Sequence, residues 1–339
     1  MPTALCTDRP EYPILRITAY VGALLGLALL VVLFVRADFP ATLQTFELGG
    51  WRLLWLVPYR LLFFALYAGG WLILLKPRDP QRRAKFGYVL WVTSVREAID
   101  RLLPVASVGG GIVAVRLMRW RGLATAPIAA SVIVEVVLTV VVAYFFTALG
   151  LLLLIDVGTA GQEYRRVVLA FLFSLPVPIG TALLLRYGSV FKRLLGLLRP
   201  LVGVSVLTAG VASLDHEVSS SLRRGRSLVA VGALQFGAFV SGSFEIWFAL
   251  RLFGHPVGMQ VALVLESMMQ AVRHLAFFIP AALGVQEGAL VLFGQAFGIS
   301  PELALAVSMA KRMREILCGL PSLLSWQLLE GRRLLKPAP

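Results

Sequence analysis

Apolar residues run along this chain in long stretches that short charged segments separate. A helix needs about 17–25 mostly apolar residues to cross a bilayer. Six stretches meet this requirement, at about 14–35, 53–75, 126–155, 167–185, 228–250 and 302–331. The hydrophobic pattern therefore predicts an all-α polytopic membrane protein with about six full spans.

Two further apolar stretches are interrupted by proline and glycine. The first begins at residue 86 and breaks at Pro104 and at Gly109-Gly110, and the second begins at residue 257 and breaks at Pro280 and Gly284. Proline ends a helix, glycine permits the turn, and the next limb begins with free N–H groups. These breaks predict two re-entrant hairpins. The alternative is that 257–298 forms two ordinary spans, which gives eight spans if one more element also crosses fully.

The two interrupted stretches belong to an internal repeat. A shift of 176 residues lays Pro104 on Pro280, and it lays the span at 53–75 on residues 229–251. The first copy covers about 53–155 and the second about 229–331, and the basic flanks give the copies opposite orientations. This pattern is typical of the inverted-topology repeats of transporters. We expect one transmembrane domain over residues 1–339 and no soluble domain.

Composition and charge agree with this interpretation. The chain is 58% hydrophobic and 15% charged, with a formal net charge of +14. Such a charge could indicate a nucleic-acid partner, but the basic residues cluster beside apolar spans, at 76–85, 116–121 and 332–336. They are better explained as cytoplasmic anchors, so both termini are expected in the cytoplasm and nucleic acid is not expected as a partner. No metal-ligand spacing is present, and no metal or cofactor is expected.

Charged residues inside apolar stretches are the candidate functional residues. A cation at a helix centre costs about 2.5–3.5 kcal/mol on insertion scales, so Lys311, Arg312 and Arg314 must face protein, water or an anion. We expect Glu315 to neutralise one of them and at least one cation to remain for a substrate. The candidate substrate-binding residues are Arg96, Arg101, Arg273, Gly284, Gln286, Glu287, Lys311 and Arg312.

Several of these residues also have purely structural explanations. Glu287 lies where a helix N-terminus favours a carboxylate, so it is either a proton or headgroup gate or a partner of Lys311 or Arg312. Arg273 needs an anion, which is a lipid phosphate or Glu266.

In the first hairpin, pairs at i,i+4 could satisfy Arg96 with Asp100 and Glu97 with Arg101. Two single carboxylates in spans are explained equally well by helix–helix hydrogen bonds and by function, namely Glu135 and Glu245.

The motifs at the two breaks and in the last span resemble a known family. They are Leu102-Leu103-Pro104 with Gly109-Gly110 and Arg116, Ile279-Pro280 with residues 284–288, and Lys311-Arg312 with Glu315. The chain resembles, over about residues 10–333, the flippase-like transmembrane domain of lysylphosphatidylglycerol synthases and their stand-alone relatives. Residues 309–315 and 319–326 are most similar to the hopanoid-biosynthesis-associated branch.

This resemblance implies a bacterial inner-membrane protein that moves lipids between leaflets. The lipid would have an anionic headgroup or be related to hopanoids. Aminoacylating members carry a soluble synthase domain after the membrane part, which this sequence lacks, so lipid aminoacylation and enzymatic activity are not expected.

Two alternatives remain open at the level of the sequence. One is an intramembrane lipid-group transferase that uses Glu97 with Asp100, and the other is an accessory scaffold for lipid-biosynthesis enzymes. Membrane lipids are the expected partners in the first case, and such enzymes are additional partners in the second.

Overall fold

The computed structural model describes residues 38–103, 109–156, 207–276 and 279–334, together with residues 24, 27–33, 35, 36, 180 and 183. Within these ranges the chain forms ten α-helices and no strand. The helices are α1 Phe39–Gly49, α2 Leu56–Leu75, α3 Phe86–Leu102, α4 Gly109–Arg119, α5 Thr125–Asp156, α6 Leu207–Leu222, α7 Gly225–Leu252, α8 Met259–Leu275, α9 Val285–Gln295 and α10 Pro301–Leu334. Short 3₁₀ segments lie at Gly50–Trp55, Lys76–Arg78 and Pro280–Ala282.

Three helical stretches of the described residues are long and apolar enough to cross a membrane. They are Phe39–Arg78, Thr125–Leu154 and Gly225–Leu252, and they contain most of the predicted spans at 53–75, 126–155 and 228–250. The protein is therefore a multi-pass membrane protein. The predicted span at 167–185 lies outside the described residues apart from 180 and 183, and that at 14–35 is described only at residues 24, 27–33 and 35.

The two interrupted stretches each form a pair of separate helices. In the first pair α3 has 17 residues and α4 has 11, and in the second pair α8 has 17 and α9 has 11. Helix α3 ends at Leu102 because Leu103, which precedes Pro104, is extended at φ −110° and ψ 146°. Gly284 precedes α9 at φ 73°, which agrees with its predicted place in a turn.

The prediction for the first turn needs a correction. Gly109 and Gly110 are the first residues of α4 and not part of the turn, while Pro104 lies outside the described residues. A Cβ at Gly110 would lie 2.5 Å from the Arg96 carbonyl oxygen and 2.6 Å from Asp100 Oδ2. The glycine is needed here because α4 begins in close contact with the end of α3.

Helices α2–α5 and α7–α10 form two groups with matching neighbours. Helix α4 begins at residue 109 and α9 at 285, while α5 begins at 125 and α10 at 301, so both pairs are offset by 176 residues. Helix α2 packs against α7, α3 packs against α10, and α8 packs against α5. Two apolar clusters lie within this arrangement. One contains Trp71, Val92 and Leu117, and the other contains Leu250 and Leu265 together with Leu56 of α2.

Candidate functional site

Helix α10 carries three cations near its centre, and each is paired with a carboxylate of a different helix. The pairs are Lys311 Nζ with Glu266 of α8 at 2.6 Å, Arg312 with Glu287 of α9 at 3.0 Å, and Arg314 with Glu245 of α7 at 2.7 Å. Successive residues of a helix point in different directions, so three neighbouring cations contact three helices. Each of the three cations therefore has an internal carboxylate partner, and the expectation that one of them also remains for a substrate stays a prediction.

Glu315 connects α10 to the first group of helices. Its carboxylate lies 3.1 Å from Arg312, 3.6 Å from Arg314 and 3.5 Å from Arg101 at the end of α3. The sequence suggested that Glu315 neutralises one cation, whereas the structure places it among three.

Further ion pairs lead from Arg101 back to Glu245, the partner of Arg314, and so form a closed set. Glu97 lies 2.9 Å from both Arg101 and Arg60, and Arg60 lies 3.7 Å from Glu245. We call the resulting closed set the charge ring, and its members are Arg60, Glu97, Arg101, Glu315, Arg314 and Glu245. The Arg312–Glu287 pair is attached to it through Glu315. Three arginines and three glutamates alternate around the ring, so its formal charges cancel.

Most of the charge ring is withdrawn from solvent. The side chains of Arg314 and Glu245 are each 2% exposed, whereas those of Glu97 and Arg312 are 25% and 20% exposed. Removing one partner of a buried pair typically costs about 3–5 kcal/mol because an uncompensated charge remains. The ring is accessible mainly beside Glu97 and Arg312, and these are the side chains a ligand could reach first.

Several buried polar atoms of this region have unused hydrogen-bonding capacity. Arg101 Nη1, Glu245 Oε2, Glu287 Oε2 and Arg314 Nε have no hydrogen-bond partner among the residues that the structure describes. Buried polar groups are usually satisfied, so such a cluster is typical of a site that binds a polar group or water.

The turn between α8 and α9 is connected to the charge ring through Arg312. Arg312 Nη1 donates a hydrogen bond of 3.0 Å to the carbonyl oxygen of Ala281. Ala281 and Ala282 have φ angles of 54° and 48°, a left-handed conformation that costs a non-glycine residue about 1–3 kcal/mol. The turn also packs against α3, so the tip of the second interrupted stretch lies beside the limb that carries Glu97 and Arg101.

Glu287 lies in the first turn of α9, as predicted, and is 2% exposed. One of its carboxylate oxygens accepts hydrogen bonds of 3.0 Å from Ser308 Oγ and from Arg312 Nε. Of the two cations proposed as its partner, the structure selects Arg312. Gln286 is also buried, and its Nε2 has no partner within the described part of the chain.

Two of the candidate cations lie in separate ion pairs outside the charge ring. Arg96 pairs with Glu135 of α5, and Lys311 pairs with Glu266, which also accepts a hydrogen bond of 2.8 Å from Gln270. Glu135 and Lys311 are offset by 176 residues and therefore occupy corresponding positions of α5 and α10. The two groups of helices thus carry opposite charges at this position.

Only one of the two predicted i,i+4 pairs of α3 forms in the structure. Glu97 and Arg101 form theirs, at 2.9 Å. Asp100 instead accepts a hydrogen bond of 3.0 Å from the N–H of Gly110, which leaves Arg96 to pair with Glu135.

Arg273 lies in the last turn of α8 and is half-buried. Glu266, one of its two expected anions, is bound by Lys311 instead. No carboxylate in the described ranges forms an ion pair with Arg273, and the other expected anion, a lipid phosphate, stays a prediction.

One member of the charge ring was missed by the sequence analysis. Arg60 lies inside the apolar span at 53–75, where a lone arginine is costly and could have been noticed for that reason. Its guanidinium carbon lies 3.6 Å from the centre of the Phe63 ring. Across the described residues no group of three or more His, Cys, Asp or Glu side chains could hold a metal ion.

The comparisons with known proteins agree with the helical architecture. A family model described as the lysylphosphatidylglycerol synthase TM region matches residues 20–320. No curated protein and no solved structure matches the chain. The family match covers most of the 339 residues and indicates a function related to membrane lipids. The chain belongs to the lysylphosphatidylglycerol synthase transmembrane-region family.

Proposed function

We propose that this protein is a lipid translocator that moves a lipid headgroup between leaflets through the region of the charge ring. The main support for this proposal is that buried, alternating charges from α2, α3, α7 and α10 meet in one closed set. Charges at membrane depth are costly and mark polar pathways in membrane proteins. The proposal includes a location in the bacterial inner membrane with both termini in the cytoplasm.

The proposed architecture is an inverted repeat with two re-entrant hairpins, α3–α4 and α8–α9. The matching neighbours of the two helix groups support it, as do the lengths of the limbs. At 1.5 Å per residue, α4 and α9 reach only about 16 Å, which is short of a hydrocarbon core of about 30 Å. Two symmetric groups around one polar site would allow the site to open to each side in turn.

We propose that a headgroup phosphate binds Arg312 first. Arg312 is the most exposed cation attached to the charge ring, and its planar guanidinium suits two hydrogen bonds to a phosphate. The phosphate would displace the carboxylate of Glu287 or Glu315, while the acyl or polycyclic tail stays in the bilayer. An anionic phospholipid is the proposed substrate class, with a hopanoid-related lipid as the alternative that the similarity to the hopanoid-associated branch favours.

Leaflet exchange in liposomes tests this function. The full chain is reconstituted with a headgroup-labelled anionic phospholipid, and the fraction accessible to an impermeant quencher is followed over time. We expect exchange above that of protein-free liposomes, and Arg312→Gln should slow it about tenfold or more because charge-assisted hydrogen bonds contribute about 1.5–3 kcal/mol. Arg332→Gln, an exposed change in the last turn of α10, is the matched control and should leave the rate unchanged. Exchange no faster than in protein-free liposomes would reject the translocator.

The transferase alternative has less support from the geometry. Its two candidate carboxylates are both engaged, since Glu97 contacts two arginines and Asp100 accepts the N–H of Gly110. Mass spectrometry of the same liposomes distinguishes the two functions, because a transferase would produce a lipid of changed mass.

A further inference from the structure

Polar contacts connect the α3–α4 pair to the C-terminal half of α10. Trp91 Nε1 donates a hydrogen bond of 2.9 Å to Ser325 Oγ, Arg116 forms an ion pair with Glu330, and the guanidinium carbon of Arg333 lies 4.0 Å from the centre of the Trp120 ring. Within α10, Trp326 Nε1 donates a hydrogen bond of 3.0 Å to the same Glu330 and so holds the carboxylate that Arg116 contacts. We call these contacts the α10 latch.

The corresponding interface of the other group has a different chemistry. Helix α8 packs against α5 through small and apolar side chains, and a Cβ at Gly150 would lie 1.6 Å from Ser267 Oγ. Leu151 and Leu154 pack there against Val264 and Met268. The two interfaces correspond in position and both are closely packed, since a Cβ at Gly319 would lie 2.5 Å from Leu102 Cδ1, but the C-terminal part of the α3–α10 interface adds polar contacts that include the exposed Arg116 and Arg333.

The α10 latch lies on the same two helices as the charge ring but far along them. Glu315 and Glu330 are both on α10, and 15 residues of helix span about 22 Å. The latch contains Arg116 and Arg333, and Arg119, Arg121 and Arg332 are close to it in sequence. These basic residues mark the side of the membrane proposed to be cytoplasmic. Separation of α3 from α10 at the latch would therefore lead from that side toward Glu97 and Glu315.

We propose that the α10 latch is the cytoplasmic gate of the charge ring, an inference that rests on the proposed function and orientation. The side chain of Arg116 is 61% exposed, so its ion pair with Glu330 is weak and can open readily. The cation–π contact of Arg333 with Trp120 is also near the surface. Weak contacts of this kind, beside the apolar packing of Leu323 and Trp326, would hold the interface closed and let it separate when a lipid headgroup enters.

The thiol of Cys318 can report the separation of α3 from α10. Cys318 follows Glu315 by one helical turn, is half-buried, and lies between the charge ring and the latch on α10. It packs on the cluster of Phe63, Phe64 and Ala238, as does Leu90 of α3, the neighbour of Trp91. Separation of α3 from α10 should therefore expose the thiol to water from the latch side.

The experiment measures how fast an impermeant thiol reagent labels Cys318 in a Cys6→Ser background. In membrane vesicles whose cytoplasmic face is outward, Glu330→Gln and Trp120→Ala should each speed labelling about two- to fivefold, the range that weak surface pairs allow. Vesicles of the opposite orientation should show no such increase. Arg332→Ala is the matched control, because it removes a neighbouring charge and leaves the latch contacts in place.

Each result of this experiment either supports or overturns the gate. Equal labelling rates for Glu330→Gln, Trp120→Ala and Arg332→Ala overturn the gate, whether all three match the unaltered protein or all are faster. Thermal unfolding of each variant identifies loss of folding, and Glu330→Gln decides the result if Trp120→Ala is unstable. Labelling does not require lipid movement, so faster labelling without leaflet exchange in the unaltered protein supports the gate and rejects the translocator.

Discussion

Glu315 makes more ion pairs than the other two carboxylates of the charge ring, two within the ring and one with Arg312. It contacts three arginines, whereas Glu287 contacts one and also accepts a hydrogen bond from Ser308. We expect Glu315→Ala to lower the free energy of unfolding by about 3–5 kcal/mol, since it leaves buried cations uncompensated. Arg312→Ala should be less destabilising, because Glu315 keeps Arg101 and Arg314 and Ser308 still donates to Glu287.

Thermal unfolding in detergent compares these two variants. Glu302→Gln, at the first turn of the same helix, serves as the control and should change the melting temperature little. If Arg312→Ala unfolds the protein more readily than Glu315→Ala, the account of Glu315 as the central carboxylate is wrong.

Gly110 provides a second test at the level of single residues. A Cβ there would approach backbone and carboxylate atoms of α3 within 2.7 Å, so Gly110→Ala should destabilise the protein by about 1–3 kcal/mol through overpacking. At the neighbouring Gly111 the nearest atom to an added Cβ is Val132 Cγ1 at 3.4 Å. Gly111→Ala should therefore be neutral or stabilising, since alanine favours a helix. Equal loss of stability in both variants, measured by chemical denaturation, would contradict the close approach of α4 to α3.

Residues that are costly to bury could be predicted from the sequence, but their partners could not. The expense of a cation in an apolar stretch identified Lys311, Arg312 and Arg314. The identities of their carboxylates depend on which helices become neighbours, and Glu245 and Glu266 are far from residue 311 in sequence. Asp100 likewise had an apparent partner at i−4, but a backbone N–H that only the tertiary structure brings close competes for it.

The two interrupted stretches are the elements whose membrane crossing decides the topology. Cysteines at exposed positions 81 and 119 should be labelled from one side, and cysteines at 256 and 300 from the other. Both the re-entrant and the two-span arrangements give this result, so depth is the discriminating measurement. A cysteine at 281 should react with small reagents much more slowly than one at 81, because α9 is too short to bring the turn to the far surface.

A cysteine at 281 that reacts from the side of residue 81, and as fast as the cysteine at 81, would establish two full spans and reject the second re-entrant hairpin.

Element boundaries were predictable where the hydrophobic signal is long and continuous. The expected spans at 126–155 and 228–250 differ by only a few residues from Thr125–Asp156 and Gly225–Leu252. The glycine-rich segment after Pro104 was less predictable, because glycine serves equally well in a turn and in a helix that approaches another closely. In the structure the second reason applies to Gly110.

At the scale of the whole molecule, the cancelling charges of the ring have an electrical consequence. A net elementary charge that crosses the membrane field contributes about 2.3 kcal/mol per 100 mV. Three arginines and three glutamates contribute no net charge, so a conformational change that carries the ring through the field performs little electrical work. The ring itself should therefore add little to any dependence of exchange on membrane potential.

Potassium gradients with an ionophore can impose such a voltage on the liposomes. We expect a diffusion potential of about 100 mV to leave exchange of a zwitterionic phospholipid unchanged and to alter exchange of an anionic one. An equal voltage dependence for both lipids would mean that the protein itself carries gating charge. With a neutral ring, the proposed translocator would add little voltage dependence of its own, and the voltage dependence of exchange would become a measure of the net charge of its lipid.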